Sequence, residues 1–136
     1  MPQPAWGMQS PVIVAVTDNA TRDQLSKMNA DVMGTDTDPF YGAPVVLVVL
    51  ADKNRPTHIY DGSLVMGNLM NAAASLGIGS CWIHRAKEVF ASEEGKALLK
   101  KWGVEGDYEG IGHCVLGYRP EMCRKRSLVK RIMCIM

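Results

Sequence analysis

Residues 61–85 read DGSLVMGNLMNAAASLGIGSCWIHR, and two elements meet at a glycine inside this stretch. From Gly62 to about Leu76, the apolar residues Leu64, Val65, Met66, Leu69, Met70, Ala72, Ala73, Ala74 and Leu76 cover nearly every face of a helix. Only Ser63, Asn68, Asn71 and Ser75 are polar. Asp61 is placed to cap its start, and Gly77 to end it, where a left-handed residue is favoured. A helix that is apolar all round belongs in a core or between subunits. A chain of 136 residues has little mass with which to cover it, so an oligomer interface is expected. After Gly77, Ile78-Gly79-Ser80-Cys81-Trp82-Ile83-His84 predicts a strand.

Upstream, the continuous apolar run Val45–Leu50 fits a strand buried on both faces. Val12–Thr17 is β-branched and predicts another strand. Between them Thr21 is read as the cap of a short helix through about Met28, with Leu25 and Met28 inward, followed by a polar loop over residues 29–43. Asp52–Thr57 is a polar turn. Downstream, Ala86–Phe90 and Ser92–Trp102 predict helices. The second has Ser92 as cap, Glu93 and Glu94 in its first turn and Lys100 and Lys101 in its last, the order that suits the helix dipole. Ile111–Tyr118 is the last core strand. Strands alternating with helices predict an α+β fold in layers, with helices flanking a central sheet, as one domain over residues 1–136 with an extended basic tail at 120–136.

The bulk composition, 47% hydrophobic and 21% charged, is that of an ordinary globular domain. The formal net charge of +1 gives no global field for nucleic acid or membrane. Charge is uneven, however: residues 1–120 sum to −3 and residues 121–136 to +4, from Arg124, Lys125, Arg126, Lys130 and Arg131 against Glu121. Such a tail is either solvated or reaches over an anion such as a phosphate. The four cysteines, Cys81, Cys114, Cys123 and Cys134, are too irregularly spaced for a zinc site. No signal-peptide pattern precedes the first element and no apolar run would span a bilayer, so the expected location is cytoplasmic.

No nucleophile–base pair, metalloprotease helix or phosphate loop is present. His84 ends an apolar strand and His113 lies within one, where a lone histidine is usually a core residue. Gly110-Ile111-Gly112 enters a strand rather than a helix, so it lacks the geometry of a dinucleotide fingerprint. A chain of this kind acts as an enzyme when a cofactor supplies the chemistry, leaving the protein to provide a shaped site and a phosphate clamp.

Taken in order, Asp38–Asp52, Asp61–Ala73, Leu76–Arg85, Ser92–Lys96 and Gly110–Tyr118 resemble the nitroreductase family, from about Gln9 to Tyr118. The resemblance implies a nitroreductase-like fold with a mainly antiparallel central sheet, and a homodimer with FMN at the subunit interface. It also implies transfer of electrons from NADH or NADPH through the flavin to nitroaromatic or quinone-like acceptors, with no catalytic side chain, since the flavin N5 reacts. Pro4, Ala5, Trp6, Gly7 and Gln9 are similar to the family loop along the flavin, with Ala5 where Ser or Thr is usual. Ile83, His84 and Arg85 match the segment beside the ring. Core packing is the alternative for Ile83, and an ion pair with Glu88 is the alternative for Arg85. Arg124 and Lys125 resemble the basic pair that meets the FMN phosphate. The family's Arg-rich opening helix has no counterpart in this sequence, and Ser127–Met136 does not match the family's tail. FMN is therefore expected to be held less tightly, and a flavin-poor dimeric scaffold that binds a ligand or partner is the alternative function.

Overall fold

A computed structural model describes residues 10–118. In chain order the elements are β1 (Pro11–Val16), α1 (Asn19–Met33), β2 (Val45–Asp52), α2 (His58–Ser75), β3 (Gly79–Ile83), α3 (Ala86–Ala91), α4 (Glu93–Lys101) and β4 (Tyr108–Gly117). The four strands form one sheet in the order β1-β2-β4-β3, and every neighbouring pair is antiparallel. The two central strands, β2 and β4, are the long apolar ones. Their position between the edges explains why β2 reads as unbroken Val and Leu: both of its faces are covered.

The layers follow from strand alternation. Val46, Val48 and Leu50 of β2 point to one side, with Val16, Ile83 and Val115, and pack under α1, α3 and α4 through Leu25, Met28, Val89, Phe90, Leu98 and Leu99. Val49 and Ala51 point to the other side and pack with Cys114 and Ile111 under Val65 and Met66 of α2. This is the α+β layered architecture expected. The register between β2 and β4 slips at Val49/Leu50, so that Val49 pairs with Gly112 and Leu50 with Gly110, leaving Ile111 as the extra residue of a bulge. The bulge keeps Ile111 on the α2 side. Both glycines of Gly110-Ile111-Gly112 are needed for packing. A Cβ on Gly112 would strike the Trp82 indole nitrogen and come within 2.8 Å of Met66 Cε, and one on Gly110 would strike the Ala86 carbonyl.

Three boundaries differ from expectation. Helix α1 does not stop at Met28 but runs to Met33, ending at Gly34 (φ 75°), whose N–H reaches the Ala30 and Asp31 carbonyls. Its cap is Asp18, whose carboxylate accepts the Thr21 N–H, rather than Thr21 itself. Helix α2 begins at His58, so Asp61 sits inside its first turn, accepting a hydrogen bond from the Thr57 hydroxyl at 3.0 Å, where a carboxylate complements the helix dipole.

Within the single chain α2 buries only one stripe, made of Asp61, Gly62, Val65, Met66 and Ala73. Its outer face keeps Tyr60 at 73%, Leu64 at 57% and Leu76 at 74% exposure. No helix among the described residues is long and apolar enough to cross a membrane.

Candidate functional site

β3 leaves the sheet after its last ladder pair, Ile83 with His113. The next two residues, His84 and Arg85, turn the chain into α3, and Arg85 does so in the left-handed region (φ 77°) as the residue preceding that helix. A non-glycine residue in this region is unfavourable by about 1 kcal/mol or more and persists only where its surroundings fix it. Here the fixing group is Asn29, fully buried on the inward face of α1. Its Nδ2 donates to the His84 carbonyl at 2.9 Å, and its Oδ1 accepts from Arg85 Nε at 2.7 Å. The backbone N–H groups of His84 and Arg85 make no hydrogen bond among the described residues.

Opposite this corner lies the loop after α1, and Asp38 organises it. The Asp38 carboxylate accepts from Arg22 Nη2 (2.5 Å), the Ser26 hydroxyl (2.6 Å) and the backbone N–H groups of Phe40 (3.0 Å) and Gly42 (2.8 Å). Partial burial would raise its pKa, but these donors, Arg22 first, outweigh it and hold the carboxyl down at about 2. Arg22, itself buried, also donates from Nε to the Ala43 carbonyl at 2.8 Å. The turn so fixed puts Tyr41 in the left-handed region (φ 54°) with its ring exposed.

Between the loop and the corner is a cleft of about 310 Å³ whose walls include Met33, Thr37, Tyr41, Trp82, His84 and Arg85. That volume is at the small end of the range for ligand sites, about 300–1,000 Å³. A larger cleft of about 560 Å³ lies by α4 and the turn into β4. Its rim mixes Lys53, Lys87, Lys96 and Lys100 with Glu105, Asp107 and Glu109, and none of the residues singled out in the sequence as binding residues lines it.

Behind the first cleft His113 is fully buried against Phe40 (ring centroids 5.1 Å) and Phe90 (6.0 Å). Neither ring nitrogen has a hydrogen-bond partner among the described residues. Burial pushes its pKa down to about 4. The Arg85 charge adds to the effect, while the nearby backbone of Ile83 and His84 opposes it without reaching hydrogen-bonding geometry. Burial, with Cys81 close by, pushes the Cys114 thiol up to about 12, which suits a packing residue and not a nucleophile. No group of metal-binding side chains occurs among the described residues.

Of the residues singled out in the sequence, Ile83, His84 and Arg85 come together at this cleft. The Ile83 side chain is buried and packs in the core. Arg85 bonds to Asn29, and no ion pair with Glu88 is found among the described residues. Pro4, Ala5, Trp6, Gly7, Gln9, Arg124 and Lys125 lie outside the described residues. Asn29, Asp38 and Tyr41 were not singled out as site residues. The signal for Asn29 was its position four residues after Leu25, on the stripe that faces the core.

The Nitroreductase family model matches residues 5–118 of the chain. Among solved structures, a nitroreductase with bound FMN from Bacteroides fragilis NCTC 9343 is similar with a TM-score of 0.74 at 23% identity, over 85% of this chain and 70% of that one. An FMN-dependent nitroreductase from Clostridium difficile R20291 gives 0.72 at 21%, over 85% and 73%. Oxidised iodotyrosine deiodinase, bound to FMN and 3-iodo-L-tyrosine, gives 0.63 at 19%, over 85% and 71%. Identities this low speak for a shared fold. A search among curated proteins gives no match.

Proposed function

Because the chain belongs to the nitroreductase family, we propose that it is an FMN-dependent oxidoreductase, working as a homodimer, that carries electrons from NADH or NADPH to nitroaromatic or quinone-like acceptors. The observation that carries this reading is the cleft at the end of β3. Tyr41, Trp82, His84 and Arg85 converge there on a fold that holds FMN in the Bacteroides fragilis relative.

The residues present fit a planar, electron-accepting ring. The cleft is lined by His84 and Arg85, whose backbone N–H groups make no hydrogen bond among the described residues. It offers a guanidinium bonded among the described residues through Nε, to Asn29, and the exposed Tyr41 ring as a flat apolar surface. When bound, FMN supplies the redox chemistry, taking two electrons as hydride from a reduced nicotinamide and giving two to the acceptor. What the chain contributes is placement and field. The fixed positive charge of Arg85 favours added electron density in whatever ring lies beside it, and its effect is larger where water is excluded. In this reading Pro4, Ala5, Trp6, Gly7 and Gln9 run along the flavin and Arg124 with Lys125 meets its phosphate. In this reading no side chain need act as a nucleophile, and Cys114 and His113 serve as packing residues.

The homodimer is supported by the outer face of α2. Tyr60 and Leu64 stand one turn apart and are both exposed in the single chain, with Ile59 beside them and Leu76 at the far end. Exposed apolar side chains grouped at one end of a helix are the kind of surface that association uses.

The test is the visible spectrum of the full chain after incubation with FMN and removal of the excess, followed by anaerobic addition of NADH or NADPH. Retained flavin bands that bleach with either nicotinamide support the reading. A colourless protein refutes it, and a colourless dimer favours the scaffold alternative.

A further inference from the structure

We infer that Asn29 is the positioning residue of this cleft, setting both the left-handed corner at Arg85 and the direction of its guanidinium; the inference rests on the cleft being the flavin site. Asn29 is the side chain on α1 that reaches across to the end of β3, and it is completely enclosed. Its two polar atoms are both committed to the corner, Nδ2 to the His84 carbonyl at 2.9 Å and Oδ1 to Arg85 Nε at 2.7 Å. An amide presents a donor and an acceptor side by side without carrying a charge. A carboxylate would keep the bond to Arg85 but set its second oxygen against the His84 carbonyl, and an aliphatic residue would leave both partners buried without a bond.

The consequence is mechanical. Arg85 has φ 77°, a conformation an L-residue adopts only under constraint. The bond from His84 O to Asn29 fixes the peptide before it, and the bond from Nε fixes the first branch of the guanidinium. The guanidinium lines the cleft with its terminal nitrogens unbonded among the described residues. Released from Asn29, Arg85 gains rotamers, and the two N–H groups of the corner lose their fixed direction. Both changes weaken the same ligand, so Asn29 acts at the site through Arg85 and His84 without touching what binds there.

The experiment is a double-mutant cycle on the full-length protein, read by FMN binding (quenching of flavin fluorescence) and by the reduction potential of the bound flavin. Asn29→Ala is expected to weaken FMN binding about tenfold, the worth of one charge-assisted hydrogen bond. In an Arg85→Ala background the same change should have little further effect, because the group it positions is gone. Asn29→Asp keeps the acceptor for Arg85 but loses the donor to the His84 carbonyl, so it should weaken binding about threefold, less than Asn29→Ala. It also serves as the working variant should Asn29→Ala fail to fold. Losses that add independently, with an unchanged potential, would show a stabilising role only and overturn the inference. Asn29→Asp as poor as Asn29→Ala would do the same. Parent protein that binds no FMN overturns the flavin reading itself, an outcome distinct from either of these.

Discussion

Replacing His113 with leucine should remove most of the protein's sensitivity to mild acid. In an unfolded chain the imidazole has its ordinary pKa near 6.5; in the fold it is about 4. Between these values the unfolded chain takes up a proton that the folded chain refuses, so stability falls as pH falls through that window. One other group borders the effect on its acid side. Asp38, held at about 2 against an ordinary 3.8, contributes stability that is complete above its unfolded value and is lost only as pH falls towards 2. Its loss therefore begins where the His113 effect has nearly run its course. From the two His113 values, going from roughly pH 8 to pH 4.5 should cost the parent about 2.5 kcal/mol.

His113→Leu keeps an apolar side chain of similar bulk between Phe40 and Phe90. It gives up ring contacts worth about 0.5–1.5 kcal/mol each but also removes two buried nitrogens that have no partner among the described residues, each carrying about 1–3 kcal/mol of desolvation cost. Two contacts come to about 1–3 kcal/mol and two nitrogens to about 2–6, so the variant should equal the parent or exceed it by about 1–2 kcal/mol near neutrality, and the difference should widen by about 2.5 kcal/mol at roughly pH 4.5. Urea unfolding at the two pH values, at one fixed protein concentration, measures this directly. If the variant loses as much stability between the two pH values as the parent does, another group carries the acid sensitivity, and the account of His113 as a neutral core residue is wrong.

Asp38→Ala leaves Arg22 buried beside a missing carboxylate. Because a third of the Asp38 side chain is exposed, the cost should be about 2 kcal/mol rather than the larger figure for a fully buried pair, read as a lowered urea midpoint at pH 7. Gly112→Ala pushes a methyl group into the Trp82 indole and Met66, and should destabilise by about 2–3 kcal/mol in the same assay; a neutral result would mean that the β4 bulge relaxes freely. Leu64→Glu puts a charge in the exposed face of α2 and should shift the protein from dimer to monomer in light scattering, while a parent that is already monomeric would remove the interface reading. Arg85→Ala should raise the FMN dissociation constant about tenfold, and unchanged binding with unchanged reduction by NADH or NADPH would take Arg85 out of the site.

The layered fold was legible because its signals are local. β2 is an apolar run long enough to be a strand and too short to be anything larger, and α2 is followed by Gly77, which takes the left-handed conformation at its end. The Ser92 cap with its ordered charges on α4 is the same kind of evidence, and the structure reproduces it. The misreading of α1 has a definite cause. Asn29 and Asp31 look like the start of a loop, whereas the stop signal lies further on at Gly34. Asparagine disfavours a helix interior because its amide competes for the backbone, but that objection vanishes when the amide is drawn off by distant groups. Here those groups are the His84 carbonyl and the Arg85 guanidinium, 55 and 56 residues away.

The site was legible only in part for a related reason. Ile83, His84 and Arg85 are contiguous and follow a recognisable strand, so they stand out in the sequence. The groups that shape their cleft come from α1 and the loop after it: Asn29 through the corner, and Asp38 through Arg22, Ser26 and the turn that presents Tyr41. Asp38 sits beside its own turn, but Asn29 is 55 residues from the His84 carbonyl that it holds, and Arg22 is 16 from Asp38. Buried backbone carbonyls and guanidinium groups must find partners wherever the fold brings them, so the polar residues that make a binding corner rigid are those a local reading assigns to loops. The outer face of α2, where Tyr60 and Leu64 are exposed in the single chain, is where the proposed homodimer would close.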